Sequence, residues 1–524
     1  MARKTTPTFV QSFEIKPTLT GKKAGSFNDL ELMSEHYRKS INATLGKFYP
    51  LARKMKQNKQ WEDARKIKDK AERKKAFEKI KEDFGYTKKA FEDFVKSIRS
   101  NEQFYHHTHS AVMQASVANR AMRAIDRYIY AKAKRIRFKR FGESFFSFEG
   151  KQNSTGIRLF HDKKGDPLKC AVQGLEFKVN FDQTNPYHIH AFLSRVKYSR
   201  VIRKDINGKR RYFIQGAFEG LPLEDKKKTQ KYKNKVGPKS KDNLVGLDFG
   251  PSHLYMVDTD GETKTFRLSK DVEQKTKEIR TLQRKLDRQR RSANPNNYNK
   301  DGTVKKGSKK WIKTKSYIRT QRKLSNLERK KTASRKSSHG EIANEIMAHS
   351  SHIKTEKINY KSWQKMFGKS IKQHAPSALE GALTRKAENA SGWCQKINTQ
   401  QTALSQTCLC GAKKKKPLSQ RTHKCNECGF TAPRDYLSAY LAIFCHETKL
   451  QKSSKWEVDL ISARRLLQGE WYFTSDDARL AELSQNSETR GYAKGSGYSD
   501  PAEELVRKLS AIGESFHKKE EPTS

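Results

Sequence analysis

One acidic residue inside an otherwise apolar strand constrains this chain more than any other feature. Leu244-Val245-Gly246-Leu247-Asp248-Phe249-Gly250 reads as a strand, Gly250-Pro251-Ser252 as a tight corner and His253-Leu254-Tyr255-Met256-Val257 as a second strand. Asp260-Gly261 then turns the chain into Thr263-Lys264-Thr265-Phe266, so three strands form a meander. A carboxylate in the first strand is costly to bury unless it is paired or holds a metal. Taken alone, such an aspartate is a side-chain cap on the corner. A metal role needs two more carboxylates downstream.

Charge narrows the partner. Of 524 residues, 110 are Lys or Arg and 57 are Asp or Glu, a formal net charge of +53. The excess runs through most of the sequence, and a compact chain with that self-repulsion calls for a polyanion, of which nucleic acid is the first candidate. An anionic membrane is the rival, yet no apolar run approaches a membrane span and no basic amphipathic helix has a clean apolar face. Met1-Ala2-Arg3-Lys4-Thr5 leads into no signal-peptide core. A soluble intracellular protein, cytoplasmic in location, is expected. Four of the seven cysteines fall between Cys408 and Cys428, which suits one metal site in a reducing compartment and not a disulfide framework.

In chain order, Thr8–Lys16 alternates as a strand, and from Asn28 to about Lys139 the pattern is helical. Phe77, Phe84, Phe91 and Phe94 recur at helical spacing and read as a packing stripe. His106, His107 and His109 lack a matching ligand pair and read as loop residues. A helix from Ser110 to Lys134 runs into Arg135-Ile136-Arg137-Phe138-Lys139-Arg140-Phe141, where cations alternate with aromatics as on nucleic-acid-gripping surfaces. Phe145–Glu219 is strand-rich: Gly156–Phe160 meets a turn at Lys164-Gly165-Asp166, and an Asn207-Gly208 hairpin joins two longer strands. A small barrel or sandwich follows, completed by the N-terminal strand. Glu224–Asp242 is basic and aperiodic and reads as a linker. Leu268 to Arg291 and Lys315 to Arg335 form a cationic helical hairpin with a flexible tip, suited to tracking a phosphate backbone. Ser337-Ser338-His339-Gly340 reads as a break before a helix over Glu341–Ala348.

The further carboxylates come next. His352–Tyr360 reads as a strand with Glu356 at its centre, and Ala432-Pro433-Arg434-Asp435 opens a helix with Asp435 in the first turn. Each alone has a bland explanation: a solvent-facing glutamate, and compensation of the helix dipole. In the order Asp on a meander strand, Glu on a later strand, Asp opening a helix, they make the acidic set of an RNase H-like nuclease. Hard oxygen ligands are what two Mg²⁺ ions about 3.5–4 Å apart require. Between the last two carboxylates, Cys408-Leu409-Cys410-Gly411 and Cys425-Asn426-Glu427-Cys428-Gly429 read as two knuckles of a one-zinc ribbon. The first knuckle is one residue short, which leaves His423 as an alternative ligand.

The C-terminal half resembles the RuvC-type nuclease of transposon-encoded TnpB proteins and the miniature type V CRISPR effectors. GLDFG around Asp248, IKTEKIN around Glu356, LTRKAENASGW, SQTCLCG, HKCNECG and PRDYLSA carry it. FEIKPT, the helix running into RIRFKRF, and the KYSRVIRKDINGKRRYFIQG hairpin are similar to the N-terminal half of that group. The resemblance implies an α+β multidomain chain: an N-terminal wedge β-barrel with an inserted helical recognition lobe, then an RNase H-like (RuvC) nuclease with an inserted zinc ribbon. Its segments would be barrel strand 1–27, recognition lobe 28–140, barrel 141–223, linker 224–242 and nuclease 243–403 with the hairpin over 268–335. The ribbon would occupy 404–431, the third-motif helix 432–446 and a C-terminal extension, acidic and Ser/Gly-rich after Asp476, 447–524.

It implies an RNA-guided, Mg²⁺-dependent DNA endonuclease that pairs a guide RNA with target double-stranded DNA beside a short motif. Asp248, Glu356 and Asp435 would bind two Mg²⁺, and Cys408, Cys410, Cys425 and Cys428 one Zn²⁺. The size of the helical lobe favours a CRISPR effector over a transposon protein, and the resemblance leaves open a homodimer on one guide. The group usually has Asn two residues after the third carboxylate, where this chain has Leu437. That departure supports an alternative, a guide-directed DNA binder with weak or no nuclease activity that acts as a roadblock. A strand transferase with an RNase H-like core fits less well, because of the ribbon and the basic lobe.

Overall fold

Alternation in TFVQSFEIKP buries Phe13 and Ile15 and forms β1 (Thr8–Pro17), the strand around which the first half is built. The computed structural model describes residues 6–18, 21, 23–98, 111–130, 135–139, 147–150, 152–161, 168–224, 226–237, 239–240, 242–269, 272–307, 309–417, 419–449 and 454–470. They divide into two units, Met1–Glu224 and Asp225–Ser524. The His106–His109 cluster, the Lys164–Asp166 turn, the ends of the Lys132–Phe141 stretch and the chain beyond residue 470 lie outside the described residues.

In the first unit the chain leaves β1 through five helices: α1 (Phe27–Gln57), α2 (Lys59–Lys66), α3 (Lys70–Asp83), α4 (Lys88–Ile98) and α5 (Ala111–Ile129). Ser26 and Asp29 make a reciprocal capping box that starts α1. Phe91 is fully buried with its ring stacked on Phe48 at 3.7 Å, and Phe77, Phe84 and Phe94 pack around the same core, so the aromatic stripe is packing. The chain returns as β2 (Phe148–Glu149), β3 (Ile157–Phe160), β4 (Lys169–Val172), β5 (Leu175–Val179), α6 (Pro186–Phe192), β6 (Val196–Ile206) and β7 (Lys209–Glu219). The sheet order is β2-β6-β7-β1-β5-β4-β3, with β1 antiparallel to both neighbours at its centre. Leu159 of β3 reaches Gly216 of β7, so the sheet curls towards a nearly closed barrel. Asn207 and Gly208 take positive φ (51° and 78°) in the tight turn between β6 and β7. Glu31 ties α1 to this hairpin: it accepts from Arg203 at 2.7 Å and from the Tyr212 hydroxyl at 2.6 Å.

The second unit opens with α7 (Lys226–Val236), where the basic run had read as an aperiodic linker. It packs on α9, so tertiary contact gives order that the local pattern does not carry. The meander forms as expected: β8 (Leu244–Phe249), β9 (His253–Asp258) and β10 (Thr263–Arg267). Next come α8 (Val272–Ser292), α9 (Lys315–His349), β11 (His352–Glu356), α10 (Tyr360–His374), α11 (Pro376–Asn389), β12 (Trp393–Ile397) and the single turn α12 (Thr399–Thr402). The five-stranded order is β10-β9-β8-β11-β12, with β11 parallel to β8 and to β12. α9 is one helix of 35 residues, without the break expected at Ser337–Gly340. Its His339 is buried, with Nε2 2.9 Å from the carbonyl of His374, and that anchor carries the helix through its polar stretch.

The unit closes with β13 (Thr422–Lys424), β14 (Thr431–Pro433), α13 (Arg434–Ile443), β15 (Cys445–Lys449), β16 (Ser454–Val458) and α14 (Leu460–Glu470). The central sheet has two covered faces. Val245, Leu247 and Phe249 of β8 join Ile342 and Ile346 of α9 and Leu379 and Leu383 of α11 in one cluster. Gly246 and Asp248 alternate to the other face, where α13 packs. A Cβ at Gly246 would stand 1.9 Å from the carbonyl oxygen of Ala439. Gly246→Ala should therefore lose roughly 1–3 kcal/mol or more, because backbone must move. Gly340→Ala in α9, with nothing within 4 Å, should gain about 0.5–1 kcal/mol. Denaturant titration of both variants checks the contrast, and equal effects would remove the close approach as the reason for the glycine.

Candidate active site and zinc ribbon

Three elements far apart in sequence bring the carboxylates together. Asp248 stands one residue before the end of β8, facing α13, with Tyr255 of β9 as its cross-strand partner. Thr355 pairs with Leu247, so Glu356, the last residue of β11 and not its centre, reaches the same sheet end as Asp248. Asp435 sits in the first turn of α13, which crosses that end. The carboxyl-terminal ends of parallel strands are where open α/β sheets bind ligands.

The electrostatics show how close the three groups are. Burial first, then the charges of Asp435 and Glu356, hold the Asp248 carboxyl well above the usual carboxylate range, against the pull of Arg434 and Arg421. Burial pushes Glu356 up to about 7, opposed by the backbone N–H of Leu404 and by Arg434. Glu356 Oε1 is buried and has no hydrogen-bond partner. Tyr255 is raised by burial and then by Asp435, and its ring meets Tyr436 edge-on at 5.4 Å. Divalent cations fit this donor set: the oxygens are hard, one is unbonded, and a bound cation would favour the ionised carboxylates that burial disfavours. The three carboxylates are not drawn within 4.8 Å of one another, a spacing that the four cysteines do reach. A pair of ions about 3.5–4 Å apart spans more than one coordination sphere and tolerates that width.

Two arginines that sequence reasoning missed complete the site. Arg421 donates through Nη1 to Asp435 Oδ2 at 3.2 Å. Arg434 stands 3.6 Å from Asp435 Oδ1, and its Nη1 donates to the carbonyls of Pro417 and Gln420, both at 3.1 Å. Arg434 was visible beside Asp435 in the motif, but Arg421 lies in a basic loop whose pattern carries no signal. Lys354, on the same face of β11 as Glu356, donates to the carbonyls of Ile443 and Cys445, both at 2.7 Å. Its ammonium caps the far end of α13, where the helix dipole favours a cation. Leu437 is 1 % exposed in the apolar cluster with Val257 and Leu404. Residues two apart on a helix do not share a face, so an Asn there would bury an amide in that cluster.

The four cysteines of the two knuckles come together. Cys408 and Cys428 bring their Sγ atoms to 3.7 Å, and Cys410 and Cys425 to 3.6 Å. Tetrahedral zinc with Zn–S near 2.3 Å spaces sulfurs by about 3.8 Å, so the four fit one Zn²⁺. The short first knuckle closes through Gly411, whose N–H donates to the Cys408 carbonyl at 2.9 Å and whose φ is +93°. The N–H groups of Cys428 and Glu427 lower the Cys425 thiol to about 6, towards the thiolate that a metal needs. His423 is outside the cluster: buried beside Phe430, with Nδ1 accepting from Lys416, it is pushed down to about 4 by burial and by that lysine. Cys410, and not His423, completes the four-cysteine cluster. One further cluster, Asp258, Glu262 and His349, was not anticipated; Lys239 lies within 3.3 Å of Asp258 and 3.0 Å of Glu262 and already supplies its cation.

Comparison with known proteins adds a family match. Residues 377–441 match the "Cas12f1-like, TNB domain" model, a span that holds α11, β12, the four cysteines and Asp435. Among solved structures, the chain is similar to a cryo-EM structure of the Cas12f1-sgRNA-target DNA complex, at 11% identity over 83% of this chain and 98% of that chain, TM-score 0.44. It is also similar to a cryo-EM structure of a CRISPR-Cas12f ternary complex, at 13% identity over 80% and 81%, TM-score 0.26. No curated protein matches.

Two outcomes test the site. The folded Glu356 carboxyl, raised to about 7 from 4.5, holds its proton better than the unfolded one. Stability is therefore complete below the unfolded value and is lost as pH rises towards 7. In chelator, wild type should lose on the order of 3 kcal/mol more than Glu356→Gln between about pH 5 and pH 8, and Mg²⁺ should restore it. Parallel curves for the two proteins would sink this assignment. For the ribbon, metal analysis should give about one Zn²⁺ per chain, lost in Cys410→Ser as fully as in Cys425→Ser. Retention in Cys410→Ser would return the fourth position to another ligand.

Proposed function

We propose, on the Cas12f1-like domain at residues 377–441 and the carboxylates that meet beside it, that the chain is an RNA-guided DNA endonuclease with a single RuvC-type site. A guide RNA pairs with target DNA beside a short motif, so that base pairing reads the sequence and the protein reads shape and backbone. The observation that carries the reading is the buried, unbonded Oε1 of Glu356 at the sheet end it shares with Asp248, under the first turn of α13. A structural carboxylate so placed would be paired. A pair of Mg²⁺ ions held by Asp248, Glu356 and Asp435 would activate water and stabilise the leaving oxygen.

The chain's own groups set the stage. β8 and β11 fix two carboxylates on one rigid sheet, and the first turn of α13 lowers the third onto them. Arg434, bonded to two carbonyls, orients Asp435, while Arg421 is a partly exposed cation at the rim. Tyr255, the cross-strand partner of Asp248, meets Tyr436 edge-on beside the carboxylates. The +53 charge supplies the general attraction for nucleic acid.

The expected outcome has two parts. RNA should copurify with the chain, and with a matched guide the protein should cut target DNA in Mg²⁺. Asp248→Ala, Glu356→Ala and Asp435→Ala should each reduce cleavage by at least about a hundredfold with guide-directed binding unchanged. Guide-directed binding without Mg²⁺-dependent cleavage in the wild type would replace the enzyme with the roadblock.

A further inference from the structure

The tip of the α8–α9 hairpin is a folded head, not the flexible loop that its Gly- and Lys-rich sequence suggests. Asn294 is buried and its side-chain amide bonds both backbone groups of Ile312: Nδ2 donates to the carbonyl at 3.0 Å and Oδ1 accepts from the N–H at 2.7 Å. Asn297 Nδ2 donates to the Lys310 carbonyl at 2.9 Å, and Tyr298 bridges to Val304. Trp311 meets Tyr298 edge-on at 5.8 Å, with Arg290 5.4 Å over the Trp311 ring and Arg291 5.0 Å over that of Tyr298. Such a lock holds the segment in one shape before any partner arrives, so binding carries little ordering cost.

The outer surface of the head defines what it fits. Between Asn294 and Arg319 the chain has seven lysines and one arginine against a single acidic residue, Asp301, which is itself engaged by Thr303. Lys300, Lys305, Lys306, Lys310, Lys313 and Lys315 are exposed, as is Ile312 at 64%. Arginines lie over the Tyr298 and Trp311 rings and engage them within the head, and its exposed lysines suit phosphate and sugar contact with a double helix. The head also stands at the opposite end of α9 from Ile342 and Ile346, the residues that pack on the sheet. α9 packs on the sheet face of Val245 and Leu247, opposite the carboxylates, and its 35 residues span about 50 Å.

On these grounds, and resting on the proposed RNA-guided function, we infer that the head of the α8–α9 hairpin is a preformed docking site for a base-paired stem of the guide RNA, engaged before target DNA arrives. The test is ribose footprinting of the RNA that copurifies with the full chain, with and without matched target. Lys305→Ala/Lys306→Ala/Lys310→Ala/Lys313→Ala changes only exposed residues and should keep the wild-type Tm and zinc content. It should lose protection of one base-paired stem before target is added. With an RNA duplex of about 20 base pairs, its log K against log salt should be shallower by about three. Asn294→Ala keeps every charge but unlocks the head, and should lose the same protection. Loss confined to the guide–target duplex after target addition, or no loss, overturns the inference. Wild-type protection in Asn294→Ala would reduce the head to a charged tether. If no RNA copurifies with the wild type, the RNA-guided reading itself fails, which a normal wild-type footprint with an unaltered variant would not imply.

Discussion

Contact between backbone and backbone governs the second unit. α13 can lie on β8 because position 246 has no side chain; a methyl there would stand 1.9 Å from the Ala439 carbonyl. From that contact the site follows. Two residues along β8, on the same face, Asp248 comes under the helix. Lys354, two residues before Glu356 on β11, caps the far end of α13 through the carbonyls of Ile443 and Cys445. The same two strands that supply two carboxylates thus hold the helix that supplies the third, at its middle and at its end. A site that must keep oxygens within a few tenths of an ångström for metal binding gains from scaffold elements and not from loops.

Electrostatic tension is the complement of this rigidity. Asp248 and Glu356 are both raised, first by burial, and two arginines offset only part of the charge. Divalent ions would resolve the conflict, because they favour the ionised carboxylates and replace lost hydration. The Asp258–Glu262–His349 group makes an instructive contrast within the same unit. There Lys239 supplies the cation internally, and hydrogen bonding to His349 helps hold the Asp258 carboxyl below its ordinary range despite burial. One acidic cluster is closed by a lysine; the other is left for something from outside the chain.

Local patterns were more legible in the sequence than contacts between distant segments. The meander, the Asn207-Gly208 hairpin and each cysteine knuckle are local signals, each within a few residues, and each has its place in the structure. What the sequence concealed depends on contacts from elsewhere. Lys226–Val236 is helical because it packs on α9, and α9 runs through Ser337–Gly340 because His339 is anchored by His374. Arg421 meets Asp435 only after the ribbon folds back. Cys410 rather than His423 completes the sulfur cluster, since burial beside Phe430 and Lys416 removes the imidazole in a way that spacing cannot reveal. Leu437 looked like a gap in the site because the motif was read along the chain; on the helix it belongs to the apolar cluster.

The ribbon is best understood as part of the scaffold of Asp435. β14 ends at Pro433 and α13 begins at Arg434, with no residue between them. Pro433 pairs with Thr422 across the ribbon hairpin, and the Arg434 N–H donates to the Arg421 carbonyl at 2.7 Å. The Arg434 side chain reaches back to Pro417 and Gln420, and Arg421 reaches forward to Asp435. The first turn of α13 therefore has no side-chain cap of its own, and the loop between the knuckles holds it instead. A two-stranded hairpin of three-residue strands is not stable alone; Leu409 and Ala432 anchor it in the apolar cluster with Leu404 and Leu437, and a metal on the four sulfurs would fix the loop between the knuckles. Through Arg421 and Arg434, the order that a metal gives the sulfur cluster would become the order of the third carboxylate.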